Sequence, residues 1–366
     1  MKVPVSTPEL TEKDREAVAN CIDSGWVSGT APIVGEFEEA FAEYCGVSHG
    51  VVTGSGTTAL HLALAALNIG KGDEVIMPSF SMIASANAVH YLGGKPVFAD
   101  IEPDTWCIDP ADIEAKITDN TKAIMPVHVY GHPCDMGAIT EISFAHDLDV
   151  IEDCAEAHGA EYKRKKVGWF GRANCFSFYA NKIITTGEGG IIVTEDFEVA
   201  ERANWLRAHA FGRQGKHYWH EEIGYGYRMS ALQAALGLSQ LERLDYYVEK
   251  RRQASWMYRS LLHDLKEDGL ISFPVEREGY KNVHWMFSIV LAEGNKRQLL
   301  IQHLADREIE TRTFFYPIHQ LPVYETGEKL PVTEDIAYRG MNLPSGNSLT
   351  KAQIRYVCEA ILEFFA

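Results

Sequence analysis

Three short stretches carry side chains whose types and spacing could do chemistry. The first is Thr53-Gly54-Ser55-Gly56-Thr57-Thr58, which runs into the apolar stretch ALHLALAAL. A glycine turn, hydroxyls and the unpaired amides of a helix start make an anion cradle that suits a phosphate, although the same residues also make a plain helix cap. The second is Asp153, which closes the apolar run VIED and is followed by Cys154-Ala155-Glu156-Ala157-His158-Gly159. A carboxylate at such a place could bind a sugar, a metal ion or a protonated ring nitrogen. The third is Lys182 in FSFYANKIITTGEGG, between a short strand and a glycine-bearing turn. An isolated lysine is ordinarily a solvated charge. Together the three supply what a pyridoxal phosphate site requires: an amine for the aldehyde, an acid that keeps the ring nitrogen protonated, and a phosphate anchor. Asp153 precedes Lys182 by enough chain to lie on a neighbouring strand, and Ser177 offers a further phosphate hydroxyl.

To meet, these residues need a scaffold, and the hydrophobic pattern provides one. Residues 10–24 and 35–45 read as amphipathic helices separated by DSGWVSGTAP, whose glycines and proline forbid continuous helix. An alternation follows: GVVT as strand and ALHLALAAL as helix, DEVIMPSF as strand and SMIASANAVHYLG as helix, then KPVFADI and KAIMPVHV as strands. A helix near 136–146 precedes DLDVIED, NCFSF and GGIIVT as further strands. Short apolar strands alternating with helices predict an α/β fold, a mostly parallel sheet with helices on both faces. Ligands in such sheets sit beyond the carboxyl ends of the strands, where all three stretches fall. From about Glu195 helices dominate, with SALQAALGLSQLERLDYYVEKRRQASWMYRSLLHDLK read as one long bridging helix. VHWMFSIVLA, a helix at KRQLLIQHLADR and a strand at IETRTFF predict a smaller α+β domain. The expected division is a large domain over 1–245 and a small one over 246–366.

Composition narrows the function classes. Apolar residues make up 46% and charged residues 23% of the 366, as in a globular protein. A net charge of −17 argues against a general nucleic-acid or anionic-membrane surface, so any phosphate site must be local. No apolar run reaches the roughly 18 residues of a membrane span, and the start lacks a signal-peptide pattern, so a cytoplasmic location is expected. Seven cysteines (21, 45, 107, 134, 154, 175 and 358) are never spaced as CxxC, which supports neither a disulfide framework nor a cysteine zinc site.

Nearly end to end, the chain resembles the DegT/DnrJ/EryC1/StrS sugar aminotransferases of the fold-type-I pyridoxal phosphate superfamily. The carriers are GWVSGTAPIVGEFEEAFAEYCGV, GSGTTALHLAL, GDEVIMPSFSMIASANAV, PVFADI, PVHVYGHPCDM, VIEDCAEAHGA, FSFYANKIITTGEGG, IGYGYRMSALQAA and NLPSG. The resemblance implies that Lys182 carries the cofactor and that Asp153 partners its ring nitrogen. It implies Ser55, Gly56, Thr57 and Ser177 as phosphate ligands, with Glu156 and Met82 beside the ring. It also implies L-glutamate as amino donor, and a homodimer with shared active sites. Related sugar dehydratases keep the cofactor but carry histidine at the lysine position, so Lys182 argues for amino transfer. Within the family, KHYWHEEIGYGYRM, NVHWMF and TRTFFYPIHQLPVY resemble the GDP-perosamine synthases, which aminate C4 of GDP-4-keto-6-deoxymannose. On that reading Tyr316, His319, His217 and His220 lie near the sugar nucleotide. Two positions depart from the family pattern. Gly226 stands where relatives carry an asparagine that reaches the neighbouring subunit's cofactor phosphate, and Met82 stands where they carry an aromatic ring.

Other readings fit the residues less well. An aminotransferase for another nucleotide-linked keto-sugar, C3-directed or UDP- or dTDP-linked, keeps the same site, as does a relative that binds without turnover. A zinc enzyme would draw on His128, His132, Cys134, Asp153, Cys154 and His158, but Gly131 and Pro133 oppose a helix presenting His128 and His132 from one face. A nicotinamide enzyme lacks support because GSGTTA does not carry the third glycine of GxGxxG.

Overall fold

The computed structural model describes residues 1–212 and 218–366. Nine strands come first: β1 (His49–Thr53), β2 (Glu74–Pro78), β3 (Lys95–Ala99), β4 (Thr121–Ile124), β5 (Asp149–Asp153), the short pair β6 (Glu161–Tyr162) and β7 (Lys165–Lys166), β8 (Ala173–Ser177) and β9 (Gly190–Thr194). Seven of them form one sheet in the order β1-β9-β8-β5-β4-β2-β3. The pairs β2–β3, β2–β4, β4–β5 and β5–β8 are parallel, while β9 runs antiparallel to both its neighbours.

Side chains alternate across this sheet with period two, and two apolar clusters result. Val52, Ile76, Ile124, Val150 and Phe176 join a cluster on one face with Phe37 and Phe41 of the helix Pro32–Cys45. Val51, Val75, Ala123, Ile151 and Cys175 join one on the other face with the helix Gly56–Ala66. Cover on both faces is why β2, β8 and β9 are buried at every position. The helix Gly56–Ala66 is buried from Ala59 through Ala66, which accounts for its lack of a polar face.

The rest of the chain adds β10 (Ile271–Ser272), β11 (Tyr280–Lys281), β12 (Phe287–Leu291), β13 (Arg312–Thr313) and β14 (Gly340–Leu343). An antiparallel sheet β10-β12-β14-β13 packs against the helices Asn295–Ala305 and Lys351–Phe365, around a cluster that includes Val3, Tyr258, Leu304 and Ile361. β11 pairs instead with β6 of the earlier region.

The long bridging helix expected after Ser230 is three helices: Ala231–Leu241, Leu244–Leu261 and His263–Glu267. The first break falls at Arg243, whose backbone turns out of the helix (φ −113°, ψ 7°) and whose guanidinium grips both carboxylate oxygens of Asp14 at 2.6 and 2.8 Å. Periodicity alone could not show this break, because the apolar rhythm runs on through it. The strand expected over IETRTFF is only Arg312–Thr313; Phe314 turns inward onto Phe80 and Trp106.

Candidate active site

Parallel pairing of β5 with β8 sets Asp153 opposite Cys175, so both strands deliver their carboxyl ends to one edge of the sheet. The glycine turn leading into the helix Gly56–Ala66 faces the same edge. There, the Ser55 hydroxyl accepts from the Thr58 amide at 3.2 Å, and the Thr58 hydroxyl accepts from the Ser55 amide at 3.0 Å. This reciprocal cap leaves the first-turn amides pointing outward without intrahelical partners. Glycine at position 56 is required by packing, since a Cβ there would lie 2.7 Å from Cβ of Ser177 and 3.1 Å from its hydroxyl.

A cavity of about 300 Å³ opens at this edge, and Ser55, Gly56, Thr57, Met82, Asp153, Glu156, Ser177 and Lys182 all line it. A larger hollow of about 560 Å³ lies between the helices Glu12–Ser24 and Ala231–Leu241, but none of the residues expected to bind cofactor or substrate that the structure describes lines it.

The polar groups of the cavity are held from behind. Asp153 accepts from the Ser85 hydroxyl at 2.7 Å and from the Ala155 amide at 3.1 Å. Glu156 accepts from the Tyr130 amide at 2.8 Å and stands 3.7 Å from Nζ of Lys182. That ammonium also lies 3.9 Å from the centre of the Trp285 ring, within cation–π range. Burial pushes both carboxyl pKa values up and the Lys182 pKa down, and the opposite charges only partly offset this.

Sequence reasoning missed part of the wall. Arg312, Phe315, Trp285, Tyr179, Asn181 and Glu188 also line the cavity. Arg312 makes no ion pair among the described residues. An arginine within the otherwise uncharged run TRTFF was the signal available for it. Trp285 is fixed through both its indole and its backbone. Its indole N–H donates to the Asn181 carbonyl at 2.8 Å, and its own carbonyl accepts from Arg251. Arg251 is fully buried without a carboxylate, its pKa lowered to about 9 by burial. It also donates to Asn347 at 2.7 Å, and Asn347 in turn donates to the Ile183 carbonyl at 2.8 Å, next to Lys182.

Three of the residues expected near a sugar nucleotide stand outside this cavity. None of Tyr316, His319 and His220 lines the cavity. His319 is buried on the turn after Pro317, with Nδ1 2.7 Å from the Ser79 hydroxyl and Nε2 3.3 Å from Glu334. Tyr316 is 65% exposed, and Nδ1 of His220 bonds the His209 carbonyl at 2.8 Å on the surface. His217 lies outside the described residues. Met82 lines the cavity while 53% exposed. At Gly226 a Cβ would come within 3.1 Å of the His209 ring, so a side chain there would make that ring give way by a few tenths of an ångström.

Of the metal-ligand candidates, His128 and Cys154 approach one another together with Glu152, their ligand atoms within 4.8 Å. Both His128 nitrogens are committed, Nε2 to Glu152 at 2.9 Å and Nδ1 to the Cys134 amide at 3.0 Å. Glu152 further accepts from the amides of Gly168, Phe170 and Gly171. A metal ion there would have to break these bonds.

The donor set of the cavity fits pyridoxal phosphate, with hydroxyls and free amides for the phosphate, a buried carboxyl for the ring nitrogen and a buried amine for the aldehyde. With a mostly parallel seven-stranded sheet and a small antiparallel sheet behind it, the chain has the architecture of a fold-type-I pyridoxal phosphate transferase. Residues 8–362 match the DegT/DnrJ/EryC1/StrS aminotransferase family, and the chain belongs to it. It is 45% identical to a GDP-perosamine synthase of Escherichia coli O157:H7, covering 100% of this chain and 99% of the relative. With a GDP-perosamine synthase of Caulobacter vibrioides it shares 43% identity over 98% of this chain and 97% of the relative. Among solved structures it superposes on S. venezuelae DesV with a TM-score of 0.92, at 37% identity over 99% of this chain and 98% of that one. The protein is thus a pyridoxal phosphate-dependent sugar aminotransferase, whose substrates are an amino donor and a keto-sugar.

Proposed function

We propose that the chain moves the amino group of L-glutamate to C4 of GDP-4-keto-6-deoxymannose, with Lys182 as the catalytic lysine and Asp153 as its acidic partner. The observation that carries the catalytic half is Nζ of Lys182 in one cavity with Asp153, Glu156 and the Gly56-Thr57-Ser177 cradle. The sugar half rests on the full-length likeness to GDP-perosamine synthases.

Bound here, pyridoxal phosphate supplies an aldehyde carbon for amines and a ring that accepts an electron pair. Lys182, whose free amine burial favours, would hold the cofactor's aldehyde at rest and, once released, would move the proton of the donor's α-carbon. Asp153, steadied by Ser85 and the Ala155 amide, keeps a proton at the ring nitrogen. Ser55, Gly56, Thr57 and Ser177 would hold the phosphate, with Glu156 and Met82 available to the ring. Arg312, an unpaired guanidinium on the wall, takes the carboxylate of the amino donor. Tyr316, exposed beside the rim residue Phe315, is free to meet the bulkier sugar nucleotide. His319 steadies this rim from behind through Ser79.

The division near residue 246 is supported by the C-terminal cluster, which draws on Val3 and on residues from Tyr258 onward. A homodimer with shared sites is supported by Trp26, Val27, Met82, Tyr91 and Tyr179, large side chains between 47% and 59% exposed. No helix among the described residues is long and apolar enough to cross a membrane, in keeping with a cytoplasmic enzyme.

The test follows the two half-reactions separately by visible absorption of the loaded enzyme. Glutamate should bleach the band, and GDP-4-keto-6-deoxymannose should restore it with a C4-aminated product. Restoration by a UDP- or dTDP-linked sugar, or amination at C3, would overturn the substrate assignment. A band untouched by any amino donor would mark a relative that binds without turnover.

A further inference from the structure

A second polar hollow borders the helix Leu244–Leu261. It measures about 440 Å³ and runs between this helix and residues Phe273–Glu276. The helix presents Arg252, Ser255, Trp256 and Arg259 to it, a spacing of three, one and three residues that places them on one face. Lys266 and His284 complete its polar lining.

The charge balance of the hollow is positive in a chain of net charge −17. Its single carboxylate, Glu276, is already held by Arg252 at 2.8 and 3.0 Å and by the Asn282 amide at 3.0 Å. Arg259 has no ion pair among the described residues; it donates to the Pro274 carbonyl at 2.8 Å and stacks over Phe273. Lys266 pairs only with its exposed sequence neighbour Glu267, a contact of little energetic weight. Two further groups lack close partners among the described residues. The Ser255 hydroxyl is buried, at 2% exposure, with no hydrogen bond. The ring of His284, only 7% exposed, approaches no acceptor more closely than Glu276 at 3.9 Å. Burial and the nearby Arg252 and Arg259 hold that imidazole neutral. At the rim the Trp256 indole is 70% exposed, a large flat surface with nothing on it.

A buried hydroxyl without a partner, an unpaired guanidinium and an ammonium call for an anion with several acceptor oxygens. An uncovered indole beside them calls for a flat ring. We propose that this hollow binds a nucleoside diphosphate, with its phosphates on Arg259, Lys266 and the Ser255 hydroxyl and its base against Trp256. The site shares no lining residue with the Lys182 cavity. The two are nevertheless adjacent in the chain, because His284 borders the hollow and Trp285, next in sequence, lies over Lys182.

Calorimetric titration of the cofactor-loaded enzyme with GDP, inorganic pyrophosphate and guanosine tests this. The binding should be lost in Arg259→Glu and in Lys266→Glu, the second an exposed position whose change leaves folding intact. Any GDP bound in the Lys182 cavity would persist in both variants. GDP should bind about tenfold more tightly than pyrophosphate, and Trp256→Ala should erase that difference. Identical GDP isotherms in the wild type and both charge variants, or no GDP binding at all, would overturn the site. Equal affinities for GDP and pyrophosphate would overturn its assignment to a nucleotide.

Discussion

Glu152 and Asp153 are neighbours on β5, both carboxylates and both buried, yet they lead opposite lives. Strand alternation sends them to opposite faces of the sheet. Glu152 meets three backbone amides and His128, so its lone pairs are spent on holding the segment Gly168–Gly171 and the turn at His128. Asp153 meets one hydroxyl and one amide and faces the cavity with capacity to spare. Both are buried and both carry a carboxylate; the unspent capacity of the second distinguishes a working group from a structural one.

The contrast can be broken by substitution. Replacing Lys182 with alanine or arginine should abolish transamination altogether, and substantial retained turnover would remove the lysine from its role. Asp153→Asn should lower kcat by about three orders of magnitude while the melting temperature stays near that of the wild type. Wild-type kinetics would refute the ring-nitrogen assignment.

Glu152→Gln should do the reverse. It should cost about 3 kcal/mol of stability, seen as a lower thermal midpoint, with kcat per loaded chain unchanged. A catalytic loss without destabilisation would erase the distinction between the two carboxylates.

The smallest effect concerns His158, buried against Phe41, Phe176 and Phe178, with its pKa lowered to about 3 chiefly by burial. The unfolded chain takes up this proton near pH 6.5 and the folded chain does not, so stability is lost as pH falls from there toward 3. His158→Phe should flatten that slope by about 1.4 kcal/mol per pH unit in denaturant titrations between pH 6 and 4. An unchanged slope would show that the imidazole is charged in the fold.

Much of this was legible in the sequence because it rests on period and local order. The alternation of strand and helix, the glycine turn, and the carboxylate and lysine at strand ends all follow from residues close together in the chain, and the cavity gathers them. Less legible were features that depend on distant packing. The break at Arg243 is fixed by Asp14 at the other end of the chain, and the burial of His319 by Ser79 and Glu334. Arg312 and Trp285 reach the site only because the C-terminal sheet folds back over it, which no local pattern announces. Glu152 escaped notice because nothing in VIED distinguishes its face from that of Asp153.

The most direct test of the central claim is to reduce the cofactor-loaded enzyme with borohydride, digest it and locate the cofactor's mass by peptide sequencing. The account predicts a single labelled peptide, with the cofactor on Lys182, and no label in the Lys182→Ala chain. Label on another lysine, or none in the wild-type protein, would contradict it.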